Sequence, residues 1–155
     1  MLKSSCRWIL PLALLHSVAT TASAEALLKV YSTSPPIPDD SYSTSCTIHR
    51  HGMVVIEHTT NLWGSFQVLK ATETKKVKLS PNTLLSLIDE AATGTISGEI
   101  MVGGGEHKYV AFHQQDDGST ETVLLLDKHN ALTNDSPAVK PLTKFIDVLC
   151  GDISQ

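Results

Sequence analysis

The stretch CTIHRHGMVVIEHT, residues 46–59, decides the fold: two β-branched runs, 46–50 and 53–59, flank His51-Gly52. Valine, isoleucine and threonine suit an extended, half-buried backbone. Glycine takes positive φ at no steric cost and histidine tolerates it better than most side chains, so His51-Gly52 predicts a tight hairpin turn. The fold is therefore expected to start from an antiparallel sheet.

Further strands extend this hairpin on both sides. Residues 66–79 alternate, with Phe66 and Val68 on one parity and Val77 and Leu79 on the other. That change of phase predicts a third strand of a meander, with a bulge or break near residues 71–75. Upstream, residues 25–32 predict a short strand. The segment SPPIPDD, residues 34–40, predicts an extended connector, because Pro35, Pro36 and Pro38 remove backbone donors and forbid helix. The core of the domain is expected to begin near Ser43.

Two helices follow from apolar spacing and stop signals. Ser80-Pro81 supplies an N-cap and a first-turn proline, Leu84, Leu87, Ile88 and Ala91 share a face, and Gly94 ends the segment. A second helix is expected to open around Ser136-Pro137 or at Pro141, with the regular part starting near Pro141. It carries Leu142, Phe145, Ile146 and Leu149 and ends at Gly151. Between the helices, residues 96–102, 107–114 and 121–127 read as strands. Gln115-Asp116-Asp117-Gly118 turns the second into the third. Strands, helix, strands, helix in that order predict the α+β class: an antiparallel sheet of about five to seven strands with two helices packed mainly on one face.

The first 24 residues read as a cleaved signal peptide. Lys3 and Arg7 are positive, an apolar run follows from Trp8 to Leu15, and Ala22-Ser23-Ala24 offers a cleavage site before Glu25. The run is broken by Pro11 and is far shorter than the roughly 20 residues that cross a bilayer, so no stable membrane anchor is expected. The expected layout is 1–24 signal peptide, 25–42 strand and Pro-rich connector, and 43–155 one α+β domain. The expected location is secreted or periplasmic.

Cleavage changes the charge and the cysteine count. The chain has 12 Lys and Arg against 16 Asp and Glu, a net charge of −4, and loss of Lys3 and Arg7 takes it to −6. Nucleic-acid binding calls for a basic face and is not expected. Cys6 leaves with the signal, and Cys46 and Cys150 are predicted to form one disulfide in an oxidising compartment. That bridge would pin the second helix across the first hairpin.

Chemistry-bearing residues are few. His49 and His51 have the His-x-His spacing that places two imidazoles on one face of a strand, and with His58 they form a candidate metal site, though a turn at His51 would break the shared face. Gly103-Gly104-Gly105 lacks the lysine ending of a phosphate loop and is followed by Glu106. It predicts a hairpin connection able to fit closely against a partner. Trp63, the one tryptophan after cleavage, is a candidate interface anchor in a loop. Lys70, Lys75, Lys76 and Lys78 form a basic cluster suited to a solvated face, a protected edge strand or an acidic partner. Asn134-Asp135-Ser136 matches a glycosylation sequon. No nucleophile elbow or catalytic triad is recognisable, and no cofactor is implied.

The favoured expectation is a non-catalytic protein-binding module, such as an inhibitor of an exported enzyme, with Trp63 and Gly103 to Gly105 as its contact points and another exported protein as partner. One alternative is a small exported metal-binding protein or hydrolase using the His49, His51 and His58 region. A second is a structural or surface-assembly component, whose mark would be an exposed edge strand with self-association.

Overall fold

A computed structural model of the chain describes residues 25–34, 41–62, 67–101, 104–151 and 153. The predicted signal segment, most of the proline connector, Trp63 and Gly103 lie outside the described residues. Ten elements follow in chain order: β1 (Ala26–Thr33), β2 (Ser41–His49), β3 (Met53–Leu62), β4 (Gln67–Lys76), α1 (Pro81–Ala92), β5 (Ile96–Ser97), β6 (Glu106–Gln114), β7 (Thr120–Asp127), β8 (Leu132–Asn134) and α2 (Val139–Cys150).

The strands form one open antiparallel sheet in the order β4-β3-β2-β1-β6-β7-β8-β5. The class is α+β as expected, but the sheet has eight strands rather than five to seven. The added strand, β8, is three residues long, too short for alternation to reveal. It is held by pairing with β7 and β5.

The first strand, residues 26–33, is also more central than expected. β1 pairs with β2 on one side and β6 on the other, so it lies in the middle of the sheet. Leu27, Leu28 and Val30 are buried in the core, which therefore begins before Ser43. Their proximity to the proline connector masked this in the sequence. A strand flanked on both sides needs only a short apolar run.

The predicted turn forms between β2 and β3. Gly52 has φ of 86° and its N–H donates to His49 O at 2.9 Å, while its carbonyl accepts from Val77 N at 2.8 Å. His51 needs no positive φ, so glycine alone supplies the special conformation. The expected bulge in the next strand is absent. β4 pairs with β3 in unbroken register from Met53 opposite Lys76 to Leu62 opposite Gln67. The phase change in the sequence arises because Val77 and Leu79 lie beyond the strand and pack against the core.

Register assigns the sheet's two faces. Val30 lies opposite Cys46 and Tyr109, Cys46 opposite Ile56, and Leu28 opposite Ile48 and Ala111. This is the apolar face, and α1 and α2 pack on it with Leu84, Ile88 and Ala91 and with Leu142, Ile146 and Cys150. The α1 boundaries follow the sequence signals, with Pro81 in the first turn and Ser80 at the N-cap. Its hydroxyl pairs with Thr83 Oγ1 at 3.1 Å rather than with a backbone amide. α2 starts at Val139, two residues before Pro141. A proline in the first turn removes an N–H that has no intrahelical acceptor, so the helix can begin upstream of it.

The predicted bridge is present. Cys46 in β2 is bonded to Cys150, the last residue of α2, with 5.9 Å between the Cα atoms. It ties α2 to the sheet across 104 residues of chain.

Candidate interaction surfaces

The three candidate metal-ligating histidines do not converge. His49 ends β2 and His51 sits in the turn, with ring centroids 5.9 Å apart. His58 lies opposite Thr44 in mid-sheet, and its Nδ1 is 3.1 Å from Thr44 Oγ1. His58 is five residues along β3 from Met53, so roughly 17 Å of extended strand separates it from the turn. Among the described residues no group of three or more His, Cys, Asp or Glu side chains is placed to hold a metal ion.

The segment between β5 and β6 has a different character. The predicted strand 96–102 keeps only Ile96 and Ser97, because Gly98 leaves the extended region with φ of 134°, where a Cβ would overlap the Ala131 carbonyl. Ile100 and Met101, released from pairing, are 79 % and 59 % exposed, and Ile96, still paired in β5, is 41 % exposed. The sequence signal was there in two large apolar residues set between Gly98 and Gly103 to Gly105. The same residues predict a strand because isoleucine and valine favour one.

Strand pairing and hydrogen bonds tie this segment down. Ile96 pairs with Asn134 of β8, and Met101 N donates to Asn130 Oδ1 at 3.0 Å. Asn130 is held in turn by Asp127, whose Oδ2 accepts from Asn130 Nδ2 at 2.7 Å. Asp127 Oδ1 accepts from the backbone N–H groups of His129 and Asn130, each at 3.1 Å. The Asp127 side chain is wholly buried, and burial alone would push its carboxyl up. The Asn130 and His129 hydrogen bonds and the Lys108 charge outweigh that and hold it below the usual carboxylate range. One buried carboxylate thus organises the turn that supports the apolar segment.

Gly104 joins the same base. Its φ is 112°, and a Cβ there would overlap the His129 ring. The glycine loop is consequently seated on His129 at Gly104 rather than being only a featureless connection. Gly105 follows directly before β6.

A second buried polar centre closes the other side of β8. Asn134, 2 % exposed, donates from Nδ2 to Ala91 O at 2.9 Å and Leu124 O at 3.2 Å, and its Oδ1 accepts from Ser136 N at 2.9 Å. Gly94 lies so close that a Cβ would overlap Asn134 Oδ1. The sequon asparagine is therefore spent on tying α1, β7 and β8 together, and in the fold it is inaccessible to a glycosylating enzyme.

The sheet face away from the helices is polar. Tyr31, Ser45, Glu57, Thr59, Lys70 and Thr72 help line a shallow cavity of about 360 Å³ on it. Burial, with the charges of Glu106 and Asp127, raises the Tyr31 phenol above its ordinary value, and the Glu106 hydrogen bond raises Lys108. At neutral pH this face carries a neutral phenol and a charged lysine. At one end of the sheet, β4 is exposed on both faces from Val68 to Lys76, with Lys70, Lys75 and Lys76 on it.

Fold and surfaces together define a class: an open-faced α+β sandwich with a disulfide-pinned helix layer, a polar sheet face and an exposed apolar segment at one edge. Comparison with protein-family models, with curated proteins and with solved structures finds no match to this chain.

Proposed function

We propose that this chain is a non-catalytic protein-binding module of an oxidising, exported setting, and that it engages another exported protein, such as an enzyme that it inhibits. The observation that carries this reading is the exposed apolar triplet Ile96, Ile100 and Met101 on a base fixed by Asp127, Asn130 and Gly104. Large apolar side chains cost free energy when left in water, about 25 cal/mol per Å². Exposed large apolar side chains on a hydrogen-bonded base are the kind of anchor that recurs at protein interfaces. A fixed base also lowers the ordering cost of binding.

The disulfide agrees with the setting, since such bonds persist in oxidising compartments. Among the described residues no helix is long and apolar enough to cross a membrane. The signal-peptide reading of residues 1–24 belongs to the same proposal. Scatter of the histidines favours binding over metal-dependent hydrolysis. The test is affinity capture from the exported fraction of the source organism, run in parallel with wild-type protein and an Ile100→Asp, Met101→Asp variant. Specific recovery of a protein by wild type and its loss with the variant would support the reading.

A further inference from the structure

β4 is an edge that most proteins would close. It runs ten residues, pairs with β3 without a bulge and holds no proline, and among the described residues no strand, helix or loop pairs with its outer side. An antiparallel edge of this length presents alternate N–H and C=O groups outward, a template for one more strand. The opposite edge, β5, is two residues long and offers no comparable template.

The charge on this edge is uneven. On the face away from the helices β4 carries Val68, Lys70, Thr72, Thr74 and Lys76, so two lysines stand six residues apart with no acid between them on that row. On the other face Glu73 sits two residues from Lys75 and offsets it. The chain as a whole is acidic, with a net charge of −4, which makes this row a local exception.

The lysines also decide against a second copy as the occupant. Two β4 strands paired antiparallel keep their faces aligned, so centred registers turn about Ala71, Thr72 or Glu73. The first sets Lys70 diagonal to Lys70 of the other copy, the second sets Lys70 diagonal to Lys76, and the third sets them directly opposite. Like charges at opposite or diagonal positions destabilise a strand pair.

We infer that β4 accepts an extended acidic segment of a partner protein as a ninth strand, with carboxylates six residues apart meeting Lys70 and Lys76. Backbone hydrogen bonds supply the affinity and the two lysines the selectivity. This surface lies at the edge of the sheet opposite to Ile96, Ile100 and Met101, so it stands apart from the loop reading. A module with both surfaces can bridge two segments.

The probe is a capped ten-residue peptide of alternating Thr and Glu, with an alternating Thr and Lys peptide as its charge-reversed counterpart. Amide hydrogen exchange and chemical shifts are followed in the whole mature protein. Saturating Thr-Glu peptide is expected to slow exchange of the outward amides of β4 at least tenfold, and the Thr-Lys peptide to leave them unchanged. Lys70→Glu with Lys76→Glu should weaken the first peptide at least tenfold and gain affinity for the second, with an unchanged melting temperature showing that the fold is kept. Ile100→Asp should bind the Thr-Glu peptide as wild type does, which separates this surface from the loop. Unaltered β4 exchange, equal binding by the lysine variant, or protection that grows with protein concentration in the absence of peptide would each overturn the inference.

Discussion

Cys46 and Cys150 join the middle of the sheet to the last turn of α2, closing a loop with a sequence separation of 104 residues. Cys46 is completely buried and Cys150 nearly so, so the bond is also part of the core. On the chain-entropy model a loop of this length stabilises by about 4 to 5 kcal/mol, and measured bridges commonly give about 2 to 4 kcal/mol. Urea unfolding of oxidised protein against the Cys46→Ala, Cys150→Ala variant should show a loss of at least about 2 kcal/mol. Equal midpoints and slopes would mean that the bridge does not stabilise the fold.

Asp127 is expected to make stability fall in acid. Its folded carboxyl titrates below the usual range, so the ionised form is favoured by folding. The contribution is complete above the unfolded value of roughly 4 and disappears as pH falls through the lower folded value. Asp127→Asn should cost about 2 to 3 kcal/mol at neutral pH, since it removes a charged acceptor from three donors. The gap between wild type and variant should narrow below about pH 4. A gap that is constant from neutral pH down to strong acid would count against this account of the turn.

Gly94 and Asn134 should behave as a coupled pair. Gly94→Ala is expected to cost about 2 to 4 kcal/mol, because the new Cβ meets Asn134 Oδ1. Asn134→Ala should cost a similar amount by leaving Ala91 O, Leu124 O and Ser136 N without this partner. In the Asn134→Ala background the alanine at position 94 loses its principal obstacle, so the double variant should be more stable than the two separate losses imply. Strict additivity in a denaturation cycle would show that the two positions are independent.

Gly104→Ala tests the seat of the apolar segment. Positive φ and contact with the His129 ring both oppose a side chain there, and the loop must shift away from its base. Global stability should fall by only about 1 to 2 kcal/mol, in keeping with an exposed loop. Exchange of the Met101 amide, which donates to Asn130, should speed up more than that of core strands. Unchanged Met101 protection would mean that the base does not depend on Gly104.

Much of this fold was legible in sequence where a local rule and its tertiary use agree. Ser80-Pro81 and the Leu84, Ile88, Ala91 stripe mark α1, His51-Gly52 marks the first turn, and Cys46 and Cys150, the pair expected to bond, do so. Elements held by distant partners were less legible. β8 exists because Asn134 reaches α1 and β7, and β1 owes its central place to β6, which lies more than 70 residues downstream. The candidate surface was half legible. Gly104 stands out in the sequence and lies at the base of the apolar segment, whereas Ile100 and Met101 are hidden by the strand propensity of Ile96, Ile100 and Val102, which Gly98 overrides. Trp63 and Gly103 fall outside the described residues.

The most direct test of the binding-module account is quantitative capture from the exported fraction with wild-type protein and with Ile100→Asp, Met101→Asp, after equal melting temperatures confirm that both are folded. The account predicts a protein recovered stoichiometrically by wild type and reduced at least tenfold by the variant. Equal recovery by both would contradict it.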